Sequence, residues 1–568
     1  MPDDTVLLER HFDTAFAAPD GIQKLRELIL TLAMQGKLVP QDPKDEPVSE
    51  LLKAIEAEKQ RLVKEGKIKQ PKPFSEIKSE ELPYKLPDTW QWVRVRNICH
   101  DWGQKIPDKL FTYIDVGSID NKRGIISNDV QLLESFDAPS RARKIVQQGT
   151  VIYSTVRPYL LNIAIVDKEF SHEPIASTAF AILHPFCKIS NRFIYYYLRS
   201  PVFISYVEST MKGVAYPAIN DGDFFQGTFP LPPLTEQHRI VAKIDRLMAR
   251  CDELEKLRAE RNHKRITIHT AALDRLLTAK ESSDFSTAWR FITQYFGELY
   301  SVKENVAELR KAILQLAVMG KLVPQDPTDE PASELLKAIE AEKQRLAQTE
   351  EIKISKPLLE IKIDEIPYEL PKGWKWVRLG SIAAYIQRGI GPRYSDIPEI
   401  PVISQKCIQW SGFNKSIVKF IDPSTIDRYR NERFIRDGDL LWNSTGTGTI
   451  GRINVYRDEL NEFKRVVADS HVTVIRLIGL CNAYVLNFLM SPIVQKHIEE
   501  NASGTTNQIE LNTTTVINQV VPLPPLAEQR RIVAKIDQLM TLCDQLDQQI
   551  DAATSKQTTL LNAVMAQV

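Results

Sequence analysis

The apolar residues Ile532, Ile536, Leu539, Cys543, Leu546, Ile550 and Ala553 recur with a 4-3-4-3-4-3 spacing. That is the a/d period of a coiled-coil helix, which gathers its apolar side chains on one seam. No proline or glycine interrupts Glu528 to Val568, so at about 1.5 Å per residue the pattern predicts a rod of roughly 60 Å. An earlier copy starts at Ile240, Ile244, Leu247, Cys251 and Leu254, blurs over RAERNHKR, and resumes from Ile266 to Leu277. A rod of that length cannot bury its seam on a small domain. The pattern therefore predicts antiparallel pairing of the two copies, with local packing of each helix on its own domain as the alternative. Shorter helices are expected over 21–36 and 49–66, and over 304–320 and 332–350. In both pairs the connecting GKLVPQDP ends one helix at a glycine and bars its continuation with prolines.

A different pattern fills the stretches between the long helices and the segments before them. Short β-branched and aromatic runs, such as TYIDVGSI (112–119), GTVIYSTV (149–156) and TAFAILHPF (178–186), are separated by turn-like NKRG and DAPS. Later come IPVISQKCI (400–408), GDLLWNST (438–445) and SHVTVIRLI (470–478). Each set is followed by a helical stretch, RFIYYYLRSPVFISYV (192–207) or AYVLNFLMSPIVQKHI (483–498). Two α+β domains are expected, and Gly149–Asp167 can be laid over Gly438–Asp458, which predicts a shared fold.

The chain is also written twice. LRELILTLAMQGKLVPQDPKDEP (25–47) returns as LRKAILQLAVMGKLVPQDPTDEP (309–331), SELLKAIEAEKQRL (49–62) returns unchanged at 333–346, and LPDTWQWVRV (86–95) returns as LPKGWKWVRL (370–379). PLPPLTEQHRIVAKIDRLM (230–248) returns as PLPPLAEQRRIVAKIDQLM (522–540). Near-identical helical parts thus enclose two divergent inserts, 90–230 and 374–522. In both copies LPPL forms an extended stop, because its prolines lack the amide donor and force the preceding residue out of helical geometry.

Composition narrows the function. The 568 residues exceed what one core can serve, and 43% hydrophobic with 26% charged residues is ordinary for a water-facing protein. No apolar run approaches the ~20 residues of a membrane span, and the acidic, amphipathic MPDDTVLLERHFD does not resemble a secretory signal. Six scattered cysteines without C-x-x-C suit a reducing cytoplasm and form neither a zinc set nor a disulfide framework. Formal net charge is zero, yet the two inserts carry a basic excess of about two and about three charges. Catalytic patterns are missing. GKLV lacks a phosphate-binding loop around it, TGTGTIGR (445–452) reads as a hairpin tip with no helix after it, and the nine histidines form no H-x-x-x-H or H-E-x-x-H. Neither a catalytic constellation nor a metal site is expected.

Two divergent domains, each opened by L-P-x-x-W and closed by P-L-P-P-L-x-E-Q with a long helix, resemble the specificity subunit of type I DNA restriction-modification enzymes. The resemblance covers nearly the whole chain. It implies an α+β fold in which two target recognition domains are joined by long antiparallel coiled-coil helices with a pseudo-twofold internal repeat. The implied divisions are 1–85, a helical conserved region; 86–233, the first target recognition domain; 234–369, a central helical spacer; 370–525, the second recognition domain; and 526–568, a C-terminal spacer helix. It further implies a non-catalytic chain in the cytoplasm, partnered by double-stranded DNA, two methyltransferase subunits and restriction/translocase subunits, with no membrane. S-adenosylmethionine, ATP and Mg are expected on those partners, and no cofactor on this chain. Segment 1–85 departs from many members, and the role of residues 1–20 stays open. A two-headed protein-interaction scaffold without DNA binding is the alternative.

If the inserts read DNA, Lys and Arg supply phosphate affinity, and Arg on guanine or Asn and Gln on adenine supply base selectivity. In the first insert this favours Asp120, Lys122, Arg123, Arg157, Tyr159, Lys212, Tyr216 and Asn220. In the second it favours Arg388, Arg393, Tyr394, Gln405, Lys406, Asn443, Ser444, Thr445, Thr447, Arg452, Thr505, Asn507 and Gln508. Repeated helices around divergent faces then set the gap between two half-sites.

Overall fold

The computed structural model describes residues 13–70, 76–352, 357–446, 448–460, 463, 465–501 and 510–566. The chain forms two compact units, one of residues 1–261 with 553–568 and the other of residues 262–552.

The first unit opens with α1 (Gly21–Met34) and α2 (Val48–Lys64), the helix pair that the periodicity predicts. Strands β1 (Gln91–Arg94), β2 (Cys99–His100), β3 (Phe111–Ile114), β4 (Gln131–Leu133), β5 (Ala142–Ile145), β6 (Val151–Ser154), β7 (Ile163–Ile165), β8 (Pro174–Ser177) and β9 (Phe180–Pro185) follow. After them come α3 (Asn191–Leu198), α4 (Pro201–Thr210), α5 (Asp221–Gln226), β10 (Thr228–Leu231) and the start of α6 (Leu234–Thr278). One sheet has the order β2-β9-β6-β7, all antiparallel; a second has the order β4-β3-β8-β5, with β3 and β8 parallel.

The second unit takes α6 onward through α7 (Ser282–Gln294), α8 (Lys303–Val318) and α9 (Ala332–Gln348) to β11 (Lys375–Arg378). Strands β12 (Ala383–Arg388), β13 (Tyr394–Ser395), β14 (Pro401–Ile403), β15 (Ile408–Gln409), β16 (Gly412–Phe413), β17 (Lys419–Ile421), β18 (Leu440–Asn443), β19 (Ile453–Val455), β20 (Val467–Ala468) and β21 (Val472–Leu477) precede α10 (Asn482–Met490) and α11 (Pro492–Asn501). Then come β22 (Val520–Leu523) and α12 (Leu526–Met565). The order β12-β21-β18-β19 repeats that of β2-β9-β6-β7 strand for strand. The Gly149–Asp167 and Gly438–Asp458 segments accordingly carry the equivalent hairpins β6–β7 and β18–β19. The other sheet differs. Its order is β13-β17-β14-β20, keeping the parallel pair (β14 with β20) but placing its fourth strand beside β17, opposite to the side taken by β5.

The repeated words of the sequence become a repeated clamp. Strand β1 pairs antiparallel with β10, Trp92 opposite Pro230; β11 pairs in the same way with β22, Trp376 opposite Pro522. Each domain is thereby closed where its insert begins and ends. Behind the ribbon, the Trp90 indole donates to Glu236 Oε2 at 3.0 Å and the Gln41 amide to Glu236 Oε1 at 2.7 Å. In the second copy Trp374 and Gln325 donate to Glu528 at 2.9 and 2.7 Å. The neighbouring Gln237 accepts from Ser190 N and donates to the Pro232 carbonyl, as Gln529 does with Cys481 N and Pro524. All four Glu and Gln side chains are buried. Burial pushes both glutamate carboxyls above their ordinary range, against the opposing hydrogen bonds. A buried polar group without partners is costly, so the E-Q of the motif is explained by satisfied hydrogen bonding. The buried Arg94 pairs with Glu81 and the buried Arg378 with Glu365, and the Arg378 hydrogen bond holds Glu365 down to about 2.

Helices α1 and α8 cover the opening heptads of the long helices. Ile240, Ile244 and Cys251 are buried in the first unit's core with Ile29, Leu30 and Ala33 of α1. Ile532, Ile536 and Cys543 are buried in the second unit's core with Ala312, Ile313 and Leu316 of α8. Matching charged forks fix these contacts: Arg26 reaches Asp252 at 2.6 Å and Glu255 at 2.9 Å, and Arg310 reaches Asp544 at 2.7 Å and Asp547 at 2.9 Å. Leu247, Leu539, Leu546 and Ile550 are partly covered by the same clusters, while Leu254 is exposed. Local packing thus covers the opening heptads. Helix α6 runs unbroken through RAERNHKR, and its later residues Ala272, Leu273 and Leu276 join Ile292 and Ile313 in the second unit. The last turns of α12 bring Leu561 and Val564 against Ala15, Phe16 and Leu28 in the first unit.

Candidate nucleic-acid interface

In the first unit three loops meet at one end of the sheets. The first is a hairpin in which Ile119–Asp120 pairs with Ile125–Ile126. Its turn is closed by the Asp120 carboxylate, which accepts from the backbone N–H of Lys122 at 3.1 Å and Arg123 at 3.0 Å. Lys122 and Arg123 are left exposed, whereas Asp120 is engaged in an Asx turn. The turn needs glycine at Gly124, where φ is 67° and an added Cβ would lie 1.7 Å from the Tyr195 hydroxyl. The second loop is tied to it by Asn121 Nδ2, which donates to the Leu160 carbonyl at 2.9 Å. Here Arg157 and Leu161 both take left-handed geometry, φ 49° and 52°, around a 3-10 turn at Pro158–Leu160. The third loop, 211–220, is joined to the second through Arg157 N to Pro217 O at 2.8 Å and the Val156–Ala218 bridge. The Arg157 guanidinium lies 5.1 Å from the Tyr216 ring centroid.

Of the residues expected from the sequence, Lys122, Arg123, Arg157, Tyr159, Lys212 and Tyr216 are exposed on this cluster. Asn220 is occupied within the fold, since its Oδ1 caps α5 by accepting from Asp223 N at 2.8 Å and its Nδ2 donates to Asp223 Oδ2 at 2.7 Å. Lys144, buried, reaches Asp221 at 2.6 Å and ties α5 to the sheet below.

The second unit also gathers its loops at one end, by other means. Gln405 accepts at Oε1 from Thr445 at 3.2 Å and Thr449 at 3.4 Å, and Thr445 Oγ1 lies 2.7 Å from His471 Nδ1. Arg452 donates to Gln409 Oε1 at 2.9 Å and the Gly448 carbonyl at 2.7 Å. Tyr394 donates to Asp469 at 3.0 Å while the Lys419 ammonium sits 4.8 Å from its ring centroid. Arg393 is exposed near Asp422, and the Lys406 side chain is exposed, its ammonium without a partner among the described residues. Arg388 is half-buried, donating to the Leu511 carbonyl at 2.7 Å.

Asn443, Ser444 and Thr445 need correction as direct readers. All three are buried: Asn443 ends β18, and Ser444 and Thr445 follow it under the covering loops. Asn443 donates to the Gln405 carbonyl and Ser444 Oγ contacts Thr473 Oγ1, so they brace the loop and present no face to a duplex. Thr447, Thr505, Asn507 and Gln508 lie outside the described residues. Sequence reading missed Trp410, which is 46% exposed at the tip of the β15–β16 hairpin. The signal was present: a Ser-Gly turn between short aromatic-containing runs. It also missed Glu236, Gln237, Glu528 and Gln529, although these letters lie inside the repeated motif.

Among the described residues no group of three or more His, Cys, Asp or Glu could hold a metal ion, and no helix is long and apolar enough to cross a membrane. Both loop clusters offer exposed cations and aromatic or amide groups, the equipment for phosphate and base-edge contact.

Comparison with known proteins agrees with this equipment. The family description "Type I restriction modification DNA specificity domain" matches residues 87–261 and 371–553, more than half of the chain. The specificity subunit of the type I restriction enzyme EcoEI from Escherichia coli is 33% identical over 564 residues, covering 96% of this chain and 93% of that protein. The EcoAI specificity subunit, also from Escherichia coli, is 33% identical over 563 residues, with the same coverage. A solved structure of the HsdS subunit from Thermoanaerobacter tengcongensis is 24% identical, covers 85% of this chain and 98% of its own, and gives a TM-score of 0.46. The chain belongs to the family of type I restriction enzyme specificity subunits.

Proposed function

We propose that each α+β domain reads one half of a two-part DNA site, while the repeated helices dock two methyltransferase subunits and set the gap between the halves. The chain is the non-catalytic, sequence-selecting member of a type I restriction-modification complex. The observation that carries the two-reader proposal is the repetition of one clamp, one antiparallel sheet and one helix fork beneath two unlike loop clusters. Equal frames suit two copies of one partner, and unequal faces suit two different half-sites. Methyl transfer, ATP-driven translocation and cleavage, with S-adenosylmethionine, ATP and Mg, are assigned to the methyltransferase and restriction subunits, in the cytoplasm where the DNA lies. The working division is 1–85, 234–369 and 526–568 for the helical frame, with 86–233 and 370–525 for the readers. Affinity comes from Lys122, Arg123, Lys212, Arg393 and Lys406 on phosphates, and selectivity from the side chains that reach base edges.

The test is genome-wide mapping of methylated adenines in cells with and without this chain. A gapped two-part motif that vanishes on deletion is the expected result; methylation unchanged by deletion would sink the proposal. A four-residue insertion within 236–280 is expected to change the gap and leave both half-site sequences alone. Altered half-site sequences would refute that division of labour.

A further inference from the structure

Arg157 is the exposed arginine of the first loop cluster whose position is fixed without the use of its donors. Its guanidinium carbon lies over the Tyr216 ring, 5.1 Å from the centroid. No hydrogen bond or ion pair to that guanidinium is found among the described residues. Arg123 nearby is exposed but held by no such contact, and Arg452 of the other domain is held through its N–H groups. A cation–π contact is different in kind: it restrains the guanidinium through the ring face and leaves all five donors free.

The backbone is arranged around this pair. Arg157 adopts left-handed geometry at φ 49°, which a residue with a β-carbon rarely takes unless its surroundings impose it. What imposes it is Arg157 N bonded to Pro217 O at 2.8 Å and the Val156–Ala218 bridge. Gly213, at φ 99°, lets the third loop fold back; an added Cβ there would lie 2.9 Å from the Tyr216 carbonyl. The folded loop presents Tyr216 at 71% exposure beneath the guanidinium. Strain, a dedicated glycine and an aromatic platform thus serve one solvent-facing fork whose hydrogen bonds are unmade.

We propose that Arg157, held over the Tyr216 ring, reads a guanine in the half-site of the first domain by a bidentate contact to its O6 and N7. The inference rests on the two-reader proposal above and assigns it a specificity-determining residue. Tyr216 acts through Arg157 as a positioning residue.

The test uses the complete complex with its methyltransferase subunits and maps adenine methylation for the native chain and for variants. Arg157→Ala is expected to make one guanine position of the first half-site degenerate, with discrimination there falling about ten- to a hundred-fold, while the second half-site and the gap stay unchanged. Arg157→Lys, which keeps the charge but not the fork, is expected to give the same degeneracy with methylation retained, which separates the effect from misfolding. Tyr216→Ala is expected to weaken the same position less, and Tyr216→Phe to preserve it. An unchanged motif with Arg157→Ala, or a loss spread evenly over all sites, as a phosphate contact would give, overturns the inference and leaves the two-reader proposal standing. A native complex that directs no two-part motif overturns that proposal itself.

Discussion

The clamp around Trp90 and the clamp around Trp374 agree down to the atoms that donate and accept: indole and glutamine amide on one glutamate in both. The loop clusters above them share almost nothing. In the first domain an exposed arginine is held over a tyrosine ring; in the second, Arg452 is fixed by a glutamine side chain and a backbone carbonyl. The difference shows where each part of the sequence is constrained. Buried polar groups tolerate few partners, so the frame is written in the same letters twice. Loops on a rigid sheet need only close their ends, so the faces are free to diverge.

The largest effect is expected from breaking one clamp. Trp90→Ala and Trp374→Ala each remove a buried indole and are expected to cost about 3–5 kcal/mol, read from urea denaturation of the respective unit. Comparable losses sharpen the equivalence of the frames; a loss in one copy alone breaks it. Next come Glu236→Gln and Glu528→Gln, which leave one donor facing an amide nitrogen and are expected to cost about 1–3 kcal/mol. Their pH dependence has a definite sign. Each glutamate is raised above its ordinary 4.5 by burial, so the folded state takes up the proton more readily than the unfolded chain. Native stability gained in this way is fully present below about pH 4.5 and is lost as pH rises through the folded value. The melting-temperature gap between native and Gln variants is therefore expected to widen on acidification, and a gap independent of pH would remove the buried charge from the account. The smallest effect separates the two ways of holding an arginine. Arg452→Ala is expected to lose about 0.5–1.5 kcal/mol with its two hydrogen bonds, whereas Arg157→Ala is expected to stay within about 0.5 kcal/mol. Equal destabilisation by thermal melting would show that the cation–π contact and hydrogen bonding restrain these loops alike.

How far the molecule was legible depended on whether the information was local. The breaks at Pro232 and Pro524, the helix ends at Gly36 and Gly320, and the hairpins starting at Gly149 and Gly438 each follow from residues within a few positions, and the structure has them. The heptad at Ile532–Ile550 correctly marked an apolar face. Periodicity names a face, however, and not every partner: α8, held by the Arg310 fork, covers its opening heptads, and Ala272, Leu273 and Leu276 of α6 join the same core. The same limit governed the loops. Asp120 and Asn220 have side chains suited to DNA contact, yet these are engaged in local backbone hydrogen bonds. Asn443 and Ser444 have side chains suited to base contact, yet they are buried at the end of a covered strand and brace it.

The sequence by itself determined that the molecule is a duplication, where its helices and α+β inserts begin, and which letters must be shared. Helix periodicity, proline stops and repeated words are properties of the chain alone. Only the tertiary structure decided what covers the helical seam, which buried carboxylate each tryptophan meets, and which polar side chains remain free at the loop ends. Those outcomes depend on residues roughly 150 to 230 positions apart coming within hydrogen-bond distance. Arg157 and Tyr216 both stood in the sequence as candidates; that one lies over the ring of the other was decided by the fold.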